Sequence, residues 1–299
     1  KKKLKNIKKN TKIKKVHFIN FSEKKINITF FSANRAEYGL IYPFIKKISV
    51  NNNFNVNLIV SGSHLDRKFG NSLDEIKKDK IKIIAKIKLP LKTNKLSEVT
   101  DYFSIIQNKI NKVLNLNNSD AVFISSDRFE TFAFSISSYL RKIPIIHYEG
   151  GDITEGGALD DNIRHAITKL SNIHITSNKE AHTRLIKMGE EKWRCINTGY
   201  SQLNEIKNKN FSLEKIKSKF KLIPKKPLII FTFHPLVLSD KDFLKELNET
   251  FLSLEKLTKL NYQIIITYPN FDPGFKKIIS KIKDIKKKYK DIRVYKHLG

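Results

Sequence analysis

From residue 26 onward, short apolar runs alternate with stretches of helical period, and this alternation restricts the chain to few architectures. INITFF (26–31) is followed by the loop SANRAEY and the helical pattern GLIYPFIKKISV, and FNVNLIVSG (54–62) reads as the next strand. Further strands are expected at 81–89, 120–126, 143–148 and 173–176, with helices at 97–116, 129–141, 160–170 and 179–188, the last stopped by Gly189. After a polar, Lys-rich stretch the order resumes with strands at 227–235, 262–269 and 292–297 and helices at 240–259 and 273–289. Strand, helix, strand repeated in this way predicts parallel sheets with helices on both faces. The expectation is α/β: a basic disordered tail over 1–25, an N-terminal Rossmann-like domain over 26–205 and a C-terminal one over 206–299, linked near 200–226.

In a parallel sheet, ligands bind at the carboxyl ends of the strands, so residues that end the apolar runs are the first candidates for chemistry. Asp127 follows AVFISS and Glu149 follows IPIIHY, which points two acids toward one pocket. Asp127 also stands where a residue capping the next helix would stand, and spacing alone does not separate cap from catalyst. Glu149-Gly150-Gly151-Asp152 supplies glycines for a sharp turn and close ligand approach. The loop 32–39 joins the first strand to the first helix and lacks GxGxxG. Arg35 there is either a surface residue or a charge-assisted phosphate contact. His64 and His234 each follow a strand, and on facing lobes two imidazoles can reach a sugar hydroxyl or a phosphate. Asp160 and Arg164 lie off the apolar stripe Ile163, Ala166, Ile167, Leu170. No His or Cys cluster has ligand spacing, so a metal is not expected.

The formal charge of +29 raises nucleic acid or an anionic membrane as partners. Lys greatly outnumbers Arg and is scattered with Asn and Ile, which reads as coding bias on a solvated surface. Neither partner is expected, although the charge would draw in an anionic ligand. Residues 1–25 hold 11 Lys against one Glu, too much like charge for a compact fold. No apolar run reaches the ~18 residues of a membrane span and no secretory signal is visible, so a cytoplasmic protein is expected. Cys195 is the only cysteine, which excludes an internal disulfide. The chain begins with Lys and its one methionine is Met188, from which an incomplete reading frame is expected.

Seven ordered blocks carry a resemblance: Asn34 to Gly39, Ser61 to Leu65, Asp127 to Glu130, His147 to Asp152, Asp160 to Leu170, Phe233-His234-Pro235 and Tyr268-Pro269-Asn270. Together they resemble the hydrolysing UDP-N-acetylglucosamine 2-epimerases of bacterial sialic-acid pathways. The resemblance implies two Rossmann-like domains in a glycosyltransferase-B-like arrangement, the second truncated, because family members continue past the position of Gly299 into a Ser-rich loop and a Glu that hold UDP. It implies catalytic roles for Asp127, Glu149, Asp160 and His234, and substrate contacts from Arg35, Glu37, His64, Arg128, Arg164, Asn270 and Asp272. It implies a UDP-sugar substrate, no cofactor and a homo-oligomer. The family more often has Gly where Ser126 stands.

Three other readings compete with UDP-N-acetylglucosamine as substrate. The loop Glu149 to Gly157 is compatible with a UDP-2,4-diacetamido-trideoxyhexose, the architecture with a glycosyltransferase, and the basic tail with nucleic-acid binding.

Overall fold

The computed structural model describes residues 24–66, 72–89, 98–154, 159–207, 212–234, 242–269, 274–296 and 298. Nearly all of the expected basic tail thus lies outside the described residues. Seven strands, β1 (Ile26–Ser32), β2 (Phe54–Ser61), β3 (Lys82–Ile87), β4 (Ala121–Ser125), β5 (Ile145–Tyr148), β6 (Ile173–Thr176) and β7 (Cys195–Asn197), form one sheet in the order β3-β2-β1-β4-β5-β6-β7. Every pairing in it is parallel.

The sheet is parallel because its strands are apolar on both faces and helices cover both. Phe30 and Phe31, consecutive in β1, face opposite ways. Phe30 stacks on Phe123 of β4 at 4.7 Å, and Phe31 on Phe134 at 4.4 Å. On the Phe31 side lie α3 (Val99–Leu116), α4 (Phe129–Leu140) and α5 (Leu159–Leu170), with Tyr102, Ile106, Ile110 and Leu114 buried at helical spacing in α3. On the Phe30 side lies α1 (Arg35–Ser49), whose Tyr38, Leu40, Ile41 and Ile45 are buried, joined by Ile76 of α2 (Ser72–Lys78). The chain runs outward from β1 to β2 and β3, then returns to β4 on the other side of β1. Carboxyl ends on either side of such a reversal open a crevice.

After β6 come α6 (Lys179–Lys187) and the edge strand β7, and the polar region expected to be a linker contains α7 (Ser201–Lys207) and α8 (Leu213–Lys219). α7 returns to the first sheet. The Ser201 hydroxyl donates to the Leu40 carbonyl at 3.0 Å and its N–H to the buried Tyr148 hydroxyl at 2.9 Å.

A second parallel sheet has the order β10-β9-β8, built from β8 (Leu228–Phe231), β9 (Gln263–Thr267) and β10 (Ile292–Tyr295). α9 (Phe243–Lys259) and α10 (Phe275–Lys288) bury Leu247, Phe251, Ile278 and Ile282 against Ile264 and Ile266. On the opposite face Ile230 is 59% exposed. The α/β class and parallel order are those the sequence alternation predicts. Among the described residues no helix is long and apolar enough to cross a membrane.

Candidate active site

Two neighbouring strands of the first sheet leave it in the same unusual way. Ser126, just past β4, has φ +75°, and Glu149, just past β5, has φ +65°, a left-handed conformation that residues with a Cβ rarely take. The ladder nevertheless continues, since the Ser126 N–H donates to the Tyr148 carbonyl at 3.3 Å and the Glu149 N–H to the Ile175 carbonyl at 2.9 Å. Below them His147 is fully buried, and desolvation pushes its pKa down to about 3, so it is neutral. Its Nε2 lies 3.1 Å from the Ser126 carbonyl and therefore carries the proton.

Asp127 comes next and caps no helix. The residue preceding α4 is Arg128, without a side-chain cap, and the oxygens of Asp127 go elsewhere. Oδ1 accepts from the Ser126 hydroxyl at 3.0 Å, and Oδ2 pairs with Nη2 of Arg164 on α5. Nη1 of Arg164 donates to Asp161 Oδ1 at 2.9 Å and to the Asp152 carbonyl at 2.8 Å. Asp161 is held in turn by the Thr154 N–H, 2.9 Å from each oxygen. Arg164 is thus a buried cation with its acceptors fixed from three segments, a geometry that only charge-assisted hydrogen bonds can maintain at low exposure.

Glu149 stands beside this pair. Burial, then the negative charges of Asp152 and Asp127, raise its pKa to about 7, against the opposing pull of Arg164. Asp152 is fixed by Ser177 at 3.2 Å and Asn178 at 2.8 Å, the latter also capping α6 through the Ala181 N–H. Acids converging near one guanidinium, one of them with its pKa raised to about 7, suit general acid–base proton transfer.

The remaining sequence candidates are distributed less evenly. Asp160 is half-buried in the first turn of α5, one residue before the Asp161 that binds Arg164. Arg128 lies 3.5 Å from Glu130 Oε2. Arg35 is partly exposed at the start of α1 and donates to Glu75 at 3.1 Å. His234 is exposed after β8, on the second sheet. Asn270 and Asp272 lie outside the described residues.

Glu37 and His64, both expected to touch substrate, are placed inside the protein, 2% and 1% exposed. Glu37 Oε2 accepts from the Ala33 and Asn34 N–H groups at 2.7 and 3.2 Å, and Oε1 from the Thr131 hydroxyl at 2.8 Å, completing the capping box of α1. His64 sits between the Ser32 and Ser72 hydroxyls at 2.8 and 2.9 Å, neutral because burial lowers its pKa to about 3. Both shape the loop after β1 from beneath.

Sequence reasoning missed Asp161 and His147. The i, i+3 spacing of Asp161 and Arg164 was a usable signal for the first. His147 lies within an apolar run, and its only signal was that it opens the block His147 to Asp152. Among the described residues no group of three His, Cys, Asp or Glu is arranged to hold a metal.

Comparison with known proteins places this arrangement in context. The family described as UDP-N-acetylglucosamine 2-epimerase matches residues 46–299. A UDP-N,N'-diacetylbacillosamine 2-epimerase (hydrolyzing) of Legionella pneumophila is 29% identical over 275 residues, covering 91% of this chain and 71% of that protein. A GDP/UDP-N,N'-diacetylbacillosamine 2-epimerase (hydrolyzing) of Campylobacter jejuni is 32% identical, over 83% of this chain and 64% of its own. Polysialic acid biosynthesis protein P7 of Escherichia coli is 29% identical, over 88% and 67%. The crystal structure of UDP-GlcNAc 2-epimerase from Neisseria meningitidis bound to UDP-GlcNAc superposes with a TM-score of 0.72 at 19% identity, over 92% of this chain and 73% of that one. That likeness establishes a shared fold.

Proposed function

The chain belongs to the UDP-N-acetylglucosamine 2-epimerase family, and we propose that it is the hydrolysing kind, acting on a UDP-linked 2-acetamido sugar to release UDP and the free C2 epimer. The hydrogen on C2 is not acidic while C1 keeps its diphosphate. As the C1–O bond breaks, its electron pair leaves with UDP, charge develops at C1, and the C2 proton becomes removable. The C2–H electrons then form the C1–C2 double bond of a 2-acetamidoglycal. Water adds its oxygen to C1, and a proton enters C2 from the opposite face.

Glu149 is our choice for the group that takes the first proton, and the observation that supports it is its pKa near 7 beside the Asp127–Arg164 pair. A carboxyl at about 7 is basic enough to accept a proton and acidic enough to return it. Asp160 is assigned to delivery on the other face, Asp127 to orienting Arg164. Arg35, Arg128 and His234 are assigned to the leaving diphosphate, with Asn270 and Asp272 on the nucleotide. We place the lobe division at 205/206, with a cytoplasmic enzyme supplying sialic-acid-type sugar synthesis.

UDP-N-acetylglucosamine, giving N-acetylmannosamine, is the first substrate to test. The names of the Legionella and Campylobacter relatives favour a UDP-2,4-diacetamido-trideoxyhexose as the second. Incubation of the protein with each sugar in D₂O is expected to yield equimolar UDP and a free epimer carrying deuterium at C2. UDP formed only when an acceptor is added, with C2 unexchanged, would identify a glycosyltransferase instead. Asp127→Asn and Glu149→Gln are each expected to lower turnover by about 10²–10⁴-fold. Wild-type rates in both would defeat the placement.

A further inference from the structure

Ser126 occupies a backbone conformation that a glycine would take without strain, φ +75°. Strain of this kind, where it persists beside reacting groups, points to something gained from the side chain. Here the gain is visible, since the hydroxyl donates to Asp127 Oδ1 at 3.0 Å while Arg164 holds Oδ2. The backbone of Ser126 is itself pinned from two sides. Its N–H donates to the Tyr148 carbonyl at 3.3 Å, and its carbonyl accepts from His147 Nε2 at 3.1 Å. With both peptide groups fixed, the hydroxyl moves only about χ1, and the position it takes reaches the carboxylate.

We infer that Ser126 is a positioning residue: its hydroxyl, acting through Asp127, sets the direction in which the Asp127–Arg164 pair meets the substrate, a role that rests on the epimerase reading above. Without the hydroxyl, Oδ1 is released, the carboxylate turns about its own side-chain torsions, and the guanidinium bonded to Oδ2 turns with it. The substrate still binds, but the pair is misaligned when charge develops at C1. The loss therefore falls on kcat and leaves KM in place.

Backbone strain and the hydroxyl's hydrogen bond are separable by substitution. Ser126→Gly loses the hydrogen bond but relieves the left-handed strain, so it is expected to melt above Ser126→Ala, yet to lower kcat about tenfold, the rate equivalent of one charge-assisted hydrogen bond. Ser126→Ala keeps the strain and loses the same rate. Ser126→Thr keeps a hydroxyl and is expected to recover most of the rate despite a lower melting temperature. A glycine variant as fast as wild type would overturn the assignment. A melting-temperature cycle pairing Ser126→Ala with Asp127→Ala needs no turnover: Ser126→Ala should destabilise the wild-type background and have no effect where Asp127 is already absent. Additive effects would remove the hydrogen bond and the inference with it. Failure of the wild-type chain to release UDP from any sugar would overturn the epimerase reading and the role in turnover with it, while the cycle would still decide whether the Ser126 hydroxyl holds Asp127.

Discussion

Glu149 and Glu37 both have pKa values raised to about 7, mainly by burial, so the folded protein holds protons there that the unfolded chain releases near 4.5. Since stability rises with pH only where the unfolded state binds more protons, these two groups make the fold weaken from about pH 4.5 to pH 7. Buried His64 and His147, lowered from 6.5 to about 3, act in the other direction between about pH 3 and 6.5, and the two trends largely cancel in the overlap, from about pH 4.5 to 6.5. Glu149→Gln separates them. The variant is expected to gain on wild type from pH 5 to pH 8, by about 2 kcal/mol at the upper end, in urea denaturation at each pH. The kcat/KM of the wild type is expected to rise with pH and level off above about 7, as Glu149 loses its proton. The placement of Asp127 and Glu149 at the carboxyl ends of β4 and β5 was legible because each ends an apolar run. The burial of Glu37 and His64 was not, because a motif records residue types and their spacing without recording which side chains face inward.

Gly151 decides how closely β5 and α6 approach. Its φ is +82°, and a Cβ there would stand 2.6 Å from the Ala181 carbonyl oxygen and 2.9 Å from Leu185 Cγ. Gly151→Ala combines backbone strain with a clash against helix backbone, so it is expected to cost more than about 1 kcal/mol and to displace α6, which anchors Asp152 through Asn178. The melting temperature and the rate of UDP release should fall together. Long elements were legible for a simple reason: α3, α9 and α10 repeat their apolar period often enough to exclude other structures. β7 was not, because three residues, Cys195–Asn197, carry no period, and they form a strand only by pairing with β6 through His174↔Cys195. α7 and α8 have seven residues each within a Lys-rich stretch, and α7 owes its position to Ser201 bonding Leu40 and Tyr148.

The chain as a whole carries 58 basic against 29 acidic side chains, and the excess repels itself across the surface. Raising NaCl from about 10 mM to 300 mM shortens the screening length from about 30 Å to below 8 Å. The melting temperature is therefore expected to rise by a few degrees, while kcat/KM for an anionic sugar nucleotide falls as long-range attraction is screened. A fall in melting temperature with salt would show that favourable ion pairs outweigh the excess charge. The seven-stranded sheet also has a kinetic consequence. Its middle is the β1–β4 junction, where Asn27 bonds Asp120 across 93 positions, so the nascent chain cannot close the heart of its sheet until β4 has emerged from the ribosome. Until then β1 has β2 on one side and an open apolar edge on the other, and the growing chain is most exposed to misassembly.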